Sequence, residues 1–420
     1  MTVLYSAESV SSTKNKHIAN AILRGKVQKN VNVAILSANA TASLQSSASG
    51  LSWQCDPLTL DTAQALETEW SDLSIVASEQ NIFAYPWFII PSLPLLVKIK
   101  PKLLAIRAEG LLIGLVTLRA DAGYAKLPVP FWRTAMHYEQ FLGTPLVRAG
   151  YENKFAAGLC EWLDQAPLGC CFLNLAMMSA DSKVAKAIAV HCQRDARQFL
   201  ETNSFQRAAI VPARSRSMEP EQLLSSSRRK SLRRAMKNLS KQGAVSVERL
   251  SRECDLELWL ARFLDMENTG WKRDDGSSIL SCANETALYK QIIFTAFRQK
   301  NLLFSRLCLD GKPIAYTLDI AAGSQSYCLK SAIDQDNRKF SPGVLMEFET
   351  LKYYLGQERY ACSDSCTSPN NEMLNDLWPD RKPIADLLIG RRGVVFSMIF
   401  KVIHAIKSAT KPVDSERHAS

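Results

Sequence analysis

Short apolar runs recur twice along the chain with the same spacing and the same kind of turn between them. Acidic–glycine pairs, Glu109-Gly110 and Asp310-Gly311, separate the two runs of each set. Such a pair between apolar runs is typical of a β-hairpin, because its turn residues must adopt a left-handed backbone. A unit that is used twice predicts two related domains. The runs cover residues 103–107, 111–119, 302–309 and 312–321, and a further strand is expected over residues 326–333.

Apolar residues at helical spacing predict helices around these hairpins. Residues 60–78 form an amphipathic pattern, and residues 82–90 are an aromatic cluster interrupted by Pro86. A long basic helix with seven cations is expected over residues 221–242, and Gly243 would be the left-handed residue after its end. The apolar face of the basic helix consists of Leu232, Ala235, Met236 and Leu239.

A last amphipathic helix is expected over residues 393–407, with basic residues around an aliphatic stripe. A helix of this kind packs on a globular core or lies in a membrane interface, and the pattern leaves both fates open. The stripe comprises Val395, Met398, Ile399, Val402, Ile403 and Ile406.

Composition and the two hairpins divide the chain into four segments. Residues 1–50 are rich in Ser, Ala, Asn and Lys, which is typical of a flexible tail. An N-terminal half over residues 51–212 and a C-terminal half over residues 213–390 would each contain one hairpin. Residues 391–420 follow as the basic helix and a polar tail.

Charge and cysteine content narrow the class of protein. The 420 residues carry a formal net charge of +10, which favours anionic partners such as phosphorylated ligands, acidic glycans or a membrane surface. The 11 cysteines and 5 histidines show no spacing typical of metal ligands, so no metal site is expected. The sequence shows no secretory signal and no apolar run of about 20 residues. A cytoplasmic protein with reduced thiols is therefore expected.

The candidate chemistry concentrates in residues 330–354, KSAIDQDNRKFSPGVLMEFETLKYY. A strand ends there, basic residues follow, and Ser341-Pro342-Gly343 precedes an amphipathic helix. The free N–H groups and the positive dipole end of a helix N-terminus bind phosphate groups. Gly343 leaves the backbone open to phosphate oxygens, and Pro342 fixes the first helical residue. The same motif also fits a purely structural turn.

Several stretches together resemble the GNAT-type acetyltransferase family that is associated with cellulose and exopolysaccharide biosynthesis. They are also similar to the double-domain aminoacyltransferases of the FemAB type. In the C-terminal half these stretches are RRKSLRRAMKNLSKQG, ENTGWKR, LDGKPIAYTLDI and LKSAIDQDNRKFSPGVLMEFE. The N-terminal half matches more loosely, through FAYPWF and LLAIRAEGLLIGLVTLR. The resemblance covers residues 53–388 and implies an α/β (α+β) fold of tandem GNAT-like domains, each a mixed twisted sheet flanked by helices.

The resemblance implies a coenzyme A site in the C-terminal half alone, with acetyl-CoA or another acyl-CoA as cosubstrate. Pantetheine would lie where the strand ending at Ile333 splays from a strand over residues 358–363. The N-terminal half has Gly143-Thr144-Pro145 in place of Ser-Pro-Gly. The pyrophosphate would be held by Arg338, Lys339, Phe340, Ser341, Gly343, Val344 and Leu345.

GNAT chemistry is direct acyl transfer, in which a neutral amine attacks the thioester and backbone N–H groups stabilise the oxyanion. Asp334 ranks first as the base that removes a proton from the amine, although it also fits a turn role before Asn337. Glu267, Asp319 and Asp364 are further candidates, and Asp319 ranks below Asp334. The expected role of Asp319 is that of a solvated residue that points out from its strand.

A second group must protonate the leaving thiolate. The tyrosine that GNAT enzymes often use after the last core strand is replaced here by Cys366, beside Ser365, and Tyr353 on the helix is an alternative. Cys366 is included among the catalytic candidates, with core packing as the competing interpretation.

The acceptor side is expected near Trp271-Lys272, because an aromatic ring beside a cation suits a sugar or an anionic acceptor. The aromatic cluster of the N-terminal half could face the same cleft, since ligand sites favour domain interfaces, or it could simply pack in the core. The substrate-binding candidates are Trp271, Lys272, Lys330, Tyr85 and Trp87.

Three functions stay open at this point. The first is acyl-CoA-dependent acylation of an amine on a sugar, glycolipid precursor or other small metabolite, in polysaccharide or cell-envelope biosynthesis. The second is an aminoacyltransferase that uses charged tRNA and contacts its phosphates through the basic helix. The third is a non-catalytic basic module on a membrane or nucleic acid. The cytoplasmic location extends to peripheral contact at the inner face of the membrane if the last helix inserts. The oligomeric state is left open.

Overall fold

The computed structural model describes residues 45–46, 50–124, 127–166 and 170–409. The tail expected over residues 1–50 therefore lies almost entirely outside the described residues, and so does the polar tail after Ala409. The elements of the N-terminal half are β1 (Gln45–Ser46), β2 (Leu51–Pro57), α1 (Leu60–Val76), α2 (Pro86–Leu96), β3 (Lys102–Ala108), β4 (Leu111–Asp121), β5 (Phe131–Thr134), β6 (Leu146–Val147), α3 (Glu152–Gln165), β7 (Phe172–Ser179), α4 (Lys183–Arg194) and β8 (Phe199–Ile210).

The C-terminal half continues with a second series of the same kinds of element. They are α5 (Pro212–Ser215), α6 (Ser226–Leu239), β9 (Val245–Arg249), α7 (Leu256–Glu267), α8 (Trp271–Asp274), α9 (Ala283–Arg298), β10 (Leu302–Leu309), β11 (Lys312–Ala322), β12 (Gln325–Ile333), α10 (Pro342–Leu355), β13 (Cys362–Asp364), α11 (Glu372–Leu377), β14 (Asp380–Gly390) and α12 (Val394–Ala409). No helix in this described part of the chain is long and apolar enough to cross a bilayer.

One mixed sheet contains the described strands, in the order β1-β2-β3-β4-β5-β7-β14-β8-β13-β12-β11-β10-β9, with β6 beside β4. Strands β2 to β5 are antiparallel neighbours, and β5 then pairs in parallel with β7. Strands β9 to β12 repeat this arrangement, and β12 pairs in parallel with β13. The two halves thus have the same strand order, which confirms the tandem mixed α/β architecture.

The two hairpins match in detail. Glu109 and Gly110 have φ of 52° and 84°, and Asp310 and Gly311 have φ of 49° and 73°. Two consecutive left-handed residues make the turn that suits the twist of a hairpin. A bulge interrupts each hairpin at the same distance before its turn, between Ile106 and Arg107 and between Leu307 and Cys308.

The last strand of each half is exchanged into the other half. β8 is the last strand of the N-terminal half but pairs with β13 of the C-terminal half. β14 is the last strand of the C-terminal half but pairs with β7 of the N-terminal half. The two exchanged strands pair with each other along most of their length. The boundary between residues 212 and 213 stays a prediction, and the sheet runs continuously across it.

A buried charge cluster lies at the centre of this exchange. The Arg207 Nη2 on β8 donates to one carboxylate oxygen of Asp364 on β13 at 2.7 Å, and the Arg207 Nε lies 2.7 Å from the other oxygen. The Lys382 ammonium on β14 lies 3.2 Å away. Asp364 is fully buried. Burial alone would raise the pKa of Asp364, but Arg207 and Lys382 hold it below its ordinary value. The cluster therefore ties together three strands from both halves.

The largest hydrophobic core also joins the halves, on one face of the sheet. The rings of Phe83 and Tyr327 meet edge to face, with centroids 5.3 Å apart. Smaller cores cover the opposite face, one in each half. Pro86 occupies the first turn of α2, where its missing N–H costs nothing, so it starts a helix there.

Two details of the expected basic helix are wrong. It begins only at Ser226, because the Ser225 hydroxyl caps it by accepting from the Arg228 N–H at 3.2 Å, and it ends at Leu239. Gly243 does not adopt a left-handed backbone within this structure. Instead the Asp310 carboxylate approaches so closely that a Cβ on Gly243 would lie 2.1 Å from it.

The exchange predicts that neither half folds alone. Residues 51–212 without β14 would leave the edge of β7 unpaired, and residues 213–420 without β8 would leave Asp364 without Arg207. Each piece expressed separately is expected in the insoluble fraction, since open strand edges aggregate. Co-expression of both pieces should return soluble complex in size-exclusion chromatography. Two soluble, separately monomeric pieces would contradict the prediction.

Asp364→Asn should destabilise the protein by about 3–5 kcal/mol, because it leaves two buried cations without their charge partner. The free energy of unfolding from urea titration measures this. Since the pKa of Asp364 is lowered on folding, its contribution is present at neutral pH and is lost as the pH falls below about 4. The variant should therefore show a weaker loss of stability in acid.

Asp376→Asn is the matched control. Asp376 pairs with Arg228 but is 57% exposed, so its loss should cost less than about 1 kcal/mol. Equal effects of the two substitutions would show that the cluster does not stabilise the exchange.

Candidate active site at the junction of the two halves

The loop between β12 and α10 has the geometry of an anion site. A short 3-10 helix, Arg338–Phe340, leads to Ser341, whose φ of 55° and ψ of 48° are left-handed. Pro342 then opens α10, and no side chain in the described structure caps that helix start. Its first N–H groups thus stay available to a ligand. Arg338 and Lys339 are both exposed beside it.

The edge of β12 opens beside this loop. Its parallel pairing with β13 covers only three residue pairs and ends with Tyr327 opposite Asp364. Beyond Tyr327, none of the described strands pairs with that edge. A bulge opposite Leu318 and Asp319 gives β12 one extra residue, Leu329, where the strands part. Bulges are frequent next to active sites because they redirect side chains and end pairing.

The corresponding gap in the N-terminal half is filled by the chain itself. The Gly143 N–H donates to the Met177 carbonyl at 2.8 Å, and the Ser179 N–H donates to the Thr144 hydroxyl at 3.0 Å. A Cβ on Gly143 would lie 2.1 Å from the Ala176 carbonyl oxygen, so only glycine allows this approach. The cavity of about 20 Å³ beside it has room for one water molecule and none for a coenzyme.

A largely buried ion pair joins the halves next to the open edge of β12. The Lys330 ammonium on β12 donates to Glu139 at 2.9 Å, and the Tyr289 hydroxyl on α9 donates to the other oxygen of Glu139 at 2.6 Å. Glu139 comes from the loop that fills the N-terminal gap, and it is only 5% exposed. The filled half therefore contributes a charged residue to the open half.

A second ion pair, between residues of α7 and α8, lies against the same strand. The Lys272 ammonium donates to the Ser331 carbonyl at 3.0 Å and lies 3.2 Å from Glu267. The other oxygen of Glu267 accepts from the Ile279 N–H at 2.9 Å. Glu267 is 1% exposed, at the end of α7. Three predicted residues, Glu267, Lys272 and Lys330, are thus brought together.

Burial and pairing compete in this cluster. Burial alone would raise the pKa of Glu139, but Lys330 and the Tyr289 hydroxyl hold it below its ordinary value. Burial alone would lower the pKa of Lys330, but Glu139 holds it above its ordinary value. For Lys272 burial outweighs Glu267, and its pKa is lowered. Lys272 is thus the lysine of the two that releases its proton more readily.

His137 lies beside this cluster in the same N-terminal loop. Its Nδ1 accepts from the Glu139 N–H at 3.2 Å, and its ring stacks on Phe88 with centroids 5.9 Å apart. Burial lowers the pKa of His137 to about 4, so the imidazole is neutral at pH 7 and carries its proton on Nε2. That Nε2 has no hydrogen-bond partner among the residues described.

Three other catalytic candidates have surroundings that account for them structurally. The carboxylate of Asp334 accepts from the Asp336 N–H at 3.2 Å and from the Asn337 amide at 2.7 Å, as in a turn. Asp364 is the centre of the charge cluster that joins the strands. Cys366 is buried in the shared hydrophobic core, where burial raises the pKa of its thiol well above its ordinary value.

The aromatic candidates divide in the same way. Tyr85 is buried in the shared core, and its hydroxyl donates to the Ser74 carbonyl at 3.0 Å. Trp87 packs edge to face against Tyr85, with centroids 6.0 Å apart. Trp271 begins α8, but its side chain lies outside the described part of the structure. No aromatic candidate is placed at the ion pairs by the described contacts.

The expectation that Asp319 is solvated is wrong. It is fully buried beneath α10, where the Tyr354 hydroxyl donates to it at 2.7 Å. Burial raises the pKa of Asp319 to about 6, and burial together with the nearby Asp319 charge raises the pKa of Glu347 on α10 to about 8. Two buried acids therefore lie where α10 packs on the sheet, Glu347 on the helix itself and Asp319 on β11.

Glu139, Tyr289 and His137 are not among the residues predicted from the sequence. One signal was present, because Glu139 falls opposite Phe340 when the two hairpin glycines are aligned. The loops after β5 and β12 are therefore counterparts. The acidic Glu139 in the loop that lacks Ser-Pro-Gly is the signal that this loop contributes a charge to the other half.

Comparison with known proteins adds a family to this geometry. Residues 226–371 match the family model described as an acetyltransferase (GNAT) domain. This segment contains the open edge of β12, the candidate anion loop and the Glu267–Lys272 pair. No curated protein matches the chain.

Solved structures of several kinds are similar over most of the chain. FemX has 12% identity and a TM-score of 0.47, with 82% of this chain and 99% of that chain covered. The C-terminal domain of a putative lysylphosphatidylglycerol synthetase from Agrobacterium fabrum has 12% identity and a TM-score of 0.49, with 81% and 96% covered. A tandem GNAT protein from the clavulanic acid biosynthesis pathway has 13% identity and a TM-score of 0.37, with 81% and 99% covered.

These structural similarities are too distant to carry a functional argument, so the assignment rests on the sequence match and the strand order. The matched segment has the splayed parallel strands and the helix start that its family implies. Residues 226–371 are therefore assigned as an acetyltransferase domain of the GNAT type.

Proposed function

We propose that the chain transfers an acyl group, in the simplest case acetyl, from acyl-CoA to an amine. The acceptor would be a sugar, a glycolipid precursor or another small metabolite in polysaccharide or cell-envelope biosynthesis. The observation that carries this proposal is the uncapped start of α10 beside the unpaired edge of β12, within the matched domain. Both features suit a ligand with a pyrophosphate and a chain of amides.

The residues present fit coenzyme A. The N–H groups at the start of α10 would bind the pyrophosphate, and Arg338 and Lys339 would add two exposed cations. The unpaired edge of β12 beyond Tyr327 would hydrogen-bond the pantetheine amides. When bound there, the coenzyme supplies an acyl group activated as a thioester. The filled gap of the N-terminal half supports a single coenzyme site per chain.

The ion pairs at the junction would prepare the acceptor. An amine arrives as an ammonium ion and must lose a proton before it attacks. We assign this step to Glu267, since one of its oxygens accepts no hydrogen bond within the described structure and lies 3.2 Å from the Lys272 ammonium. Asp334 uses both oxygens in its turn and is the weaker candidate. Lys330, fixed by Glu139, would hold an anionic or hydroxyl group of the acceptor.

One observation favours charged tRNA as an alternative donor. Helix α6 contains no acidic residue and packs beside the Arg338–Phe340 turn. Arg228 of this helix pairs with Asp376, whereas the other cations of the helix make no ion pair within the described chain. A cationic face of this length exceeds what one pyrophosphate requires and suits an RNA backbone. These cations are Arg229, Lys230, Arg233, Arg234 and Lys237, followed by Lys241 after the helix.

Replacing Arg338 and Lys339 together by alanine should weaken acetyl-CoA binding about tenfold to a hundredfold, because charge-assisted contacts to the pyrophosphate are lost. Isothermal titration calorimetry at low salt measures this. Lys183→Ala with Lys186→Ala is the matched control, since both lysines are exposed on α4 in the other half. Unchanged affinity in the first variant, or equal losses in both, would place the coenzyme elsewhere.

The two donors are distinguished by a second measurement on the same proteins. Arg233→Glu with Arg234→Glu reverses two charges on α6 and leaves the residues of the anion loop unchanged. If the donor is acyl-CoA, this variant keeps its affinity for acetyl-CoA, and the parent protein transfers acetyl to amines. If the parent binds no acetyl-CoA but binds charged tRNA with a steep salt dependence, and the variant loses that binding, the alternative is correct.

A further inference from the structure

Helix α12 has apolar side chains on two opposite faces, and the protein covers only one of them. Phe400 and Ile403 are buried, at 2% and 0% exposed, and Phe396 and Ile399 are partly buried against the same core. The rings of Phe172 and Phe400 meet edge to face, with centroids 6.3 Å apart. This packed face fixes the helix on the end of the sheet near β7 and β14.

The outer face carries four large aliphatic side chains in solvent. Val394, Val395, Met398 and Val402 are 76%, 65%, 62% and 52% exposed. The last three recur at i, i+3 and i+7, so they form a continuous row along the helix. A continuous apolar row on a helix is normally covered by a packing partner. Among the residues described, nothing packs over this row.

The start of α12 holds the row in a fixed orientation. The Arg391 guanidinium donates to the Asp164 carbonyl at 2.8 Å, and Arg392 pairs with Asp195 at 2.7 Å. Both arginines are thus used in anchoring the helix to α3 and α4. The exposed row is therefore presented by a helix fastened at its start and along its inner face.

The positive charge of α12 indicates which kind of partner would cover this apolar row. Its sequence, VVFSMIFKVIHAIKSA, contains two lysines and no acidic residue, and Lys401 is exposed between Met398 and Val402. A second copy of the chain would bring like charges together across the apolar contact. An anionic bilayer offers hydrocarbon for the row and negative head groups for the lysine. The helix is shorter than the roughly 20 residues that span a bilayer, so it would lie in the interface.

We propose that the outer face of α12 binds an anionic lipid membrane and holds the protein at its surface. Val395, Met398 and Val402 enter the interface, and Lys401 lies at the level of the head groups. The membrane contact is independent of the acyl donor, because it uses none of the residues of the candidate active site.

The test is co-sedimentation of the full chain with lipid vesicles. The protein should pellet with vesicles that contain phosphatidylglycerol, pellet less at high salt, and stay in solution with phosphatidylcholine alone. Val402→Glu places a charge in the row and should reduce the bound fraction at least about tenfold. Val190→Glu on α4 is the matched control, because Val190 is 51% exposed outside this surface. It should bind like the parent.

Circular dichroism melting checks that both variants are folded, and sedimentation velocity reports the oligomeric state. The proposal is overturned if the parent stays in solution with phosphatidylglycerol vesicles, or if Val190→Glu loses as much binding as Val402→Glu. It is also overturned if the row instead forms a dimer that Val402→Glu dissociates while no vesicle binding occurs. Loss of vesicle binding in Val402→Glu alone supports it.

Discussion

The antiparallel pairing of β8 with β14 is the interaction on which the rest of the structure depends. Each of these strands leaves the half in which it is encoded and becomes the wall of the other half's cleft. The Asp364 carboxylate pairs with the Arg207 guanidinium and faces the Lys382 ammonium, so the junction is specified by charge as well as by backbone pairing. A buried charge is tolerated only where every partner is in place, which makes this register hard to shift.

The exchange turns two similar units into one asymmetric site. Both halves have parallel strands that begin to part, but only the C-terminal gap stays open. In the N-terminal half a loop bonds to β7 and closes the gap, and the same loop carries Glu139 across to Lys330. The closed half has therefore become part of the wall and the electrostatics of the open one. The ion pairs at the junction therefore draw on both halves, although the matched acetyltransferase domain lies in one.

The features that the sequence predicted correctly depend on residues close together in the chain. The turn residues of the hairpins, their shared spacing and the start of α10 are all encoded within about ten residues, and each was predicted from that context. Glu267 and Lys272 were found because they lie in one short family-like stretch. Glu139 and Lys330 are far apart in sequence, and their pairing depends on the way in which the halves meet. No local pattern could have predicted it.

The error at Asp319 has a physical reason. Alternation along a strand indicates exposure only when one face of the sheet is solvated. Here helices cover both faces of β11, so the polar member of the alternation is as buried as its neighbours. β14 was not predicted from the sequence, because Pro383 and the charged residues around it argue against a central strand. The buried partners of Lys382 compensate for that charge only after the fold is complete.

The long separation of β8 and β14 in the sequence has a consequence for synthesis. β8 leaves the ribosome complete at Ile210, but its partner begins only at Asp380. At the usual rates of translation this interval lasts roughly ten to thirty seconds. During it the edges of β7 and β8 are open templates for pairing with other nascent chains. The growing polypeptide, more than the finished fold, is thus the form in which unpaired strand edges expose this protein to aggregation.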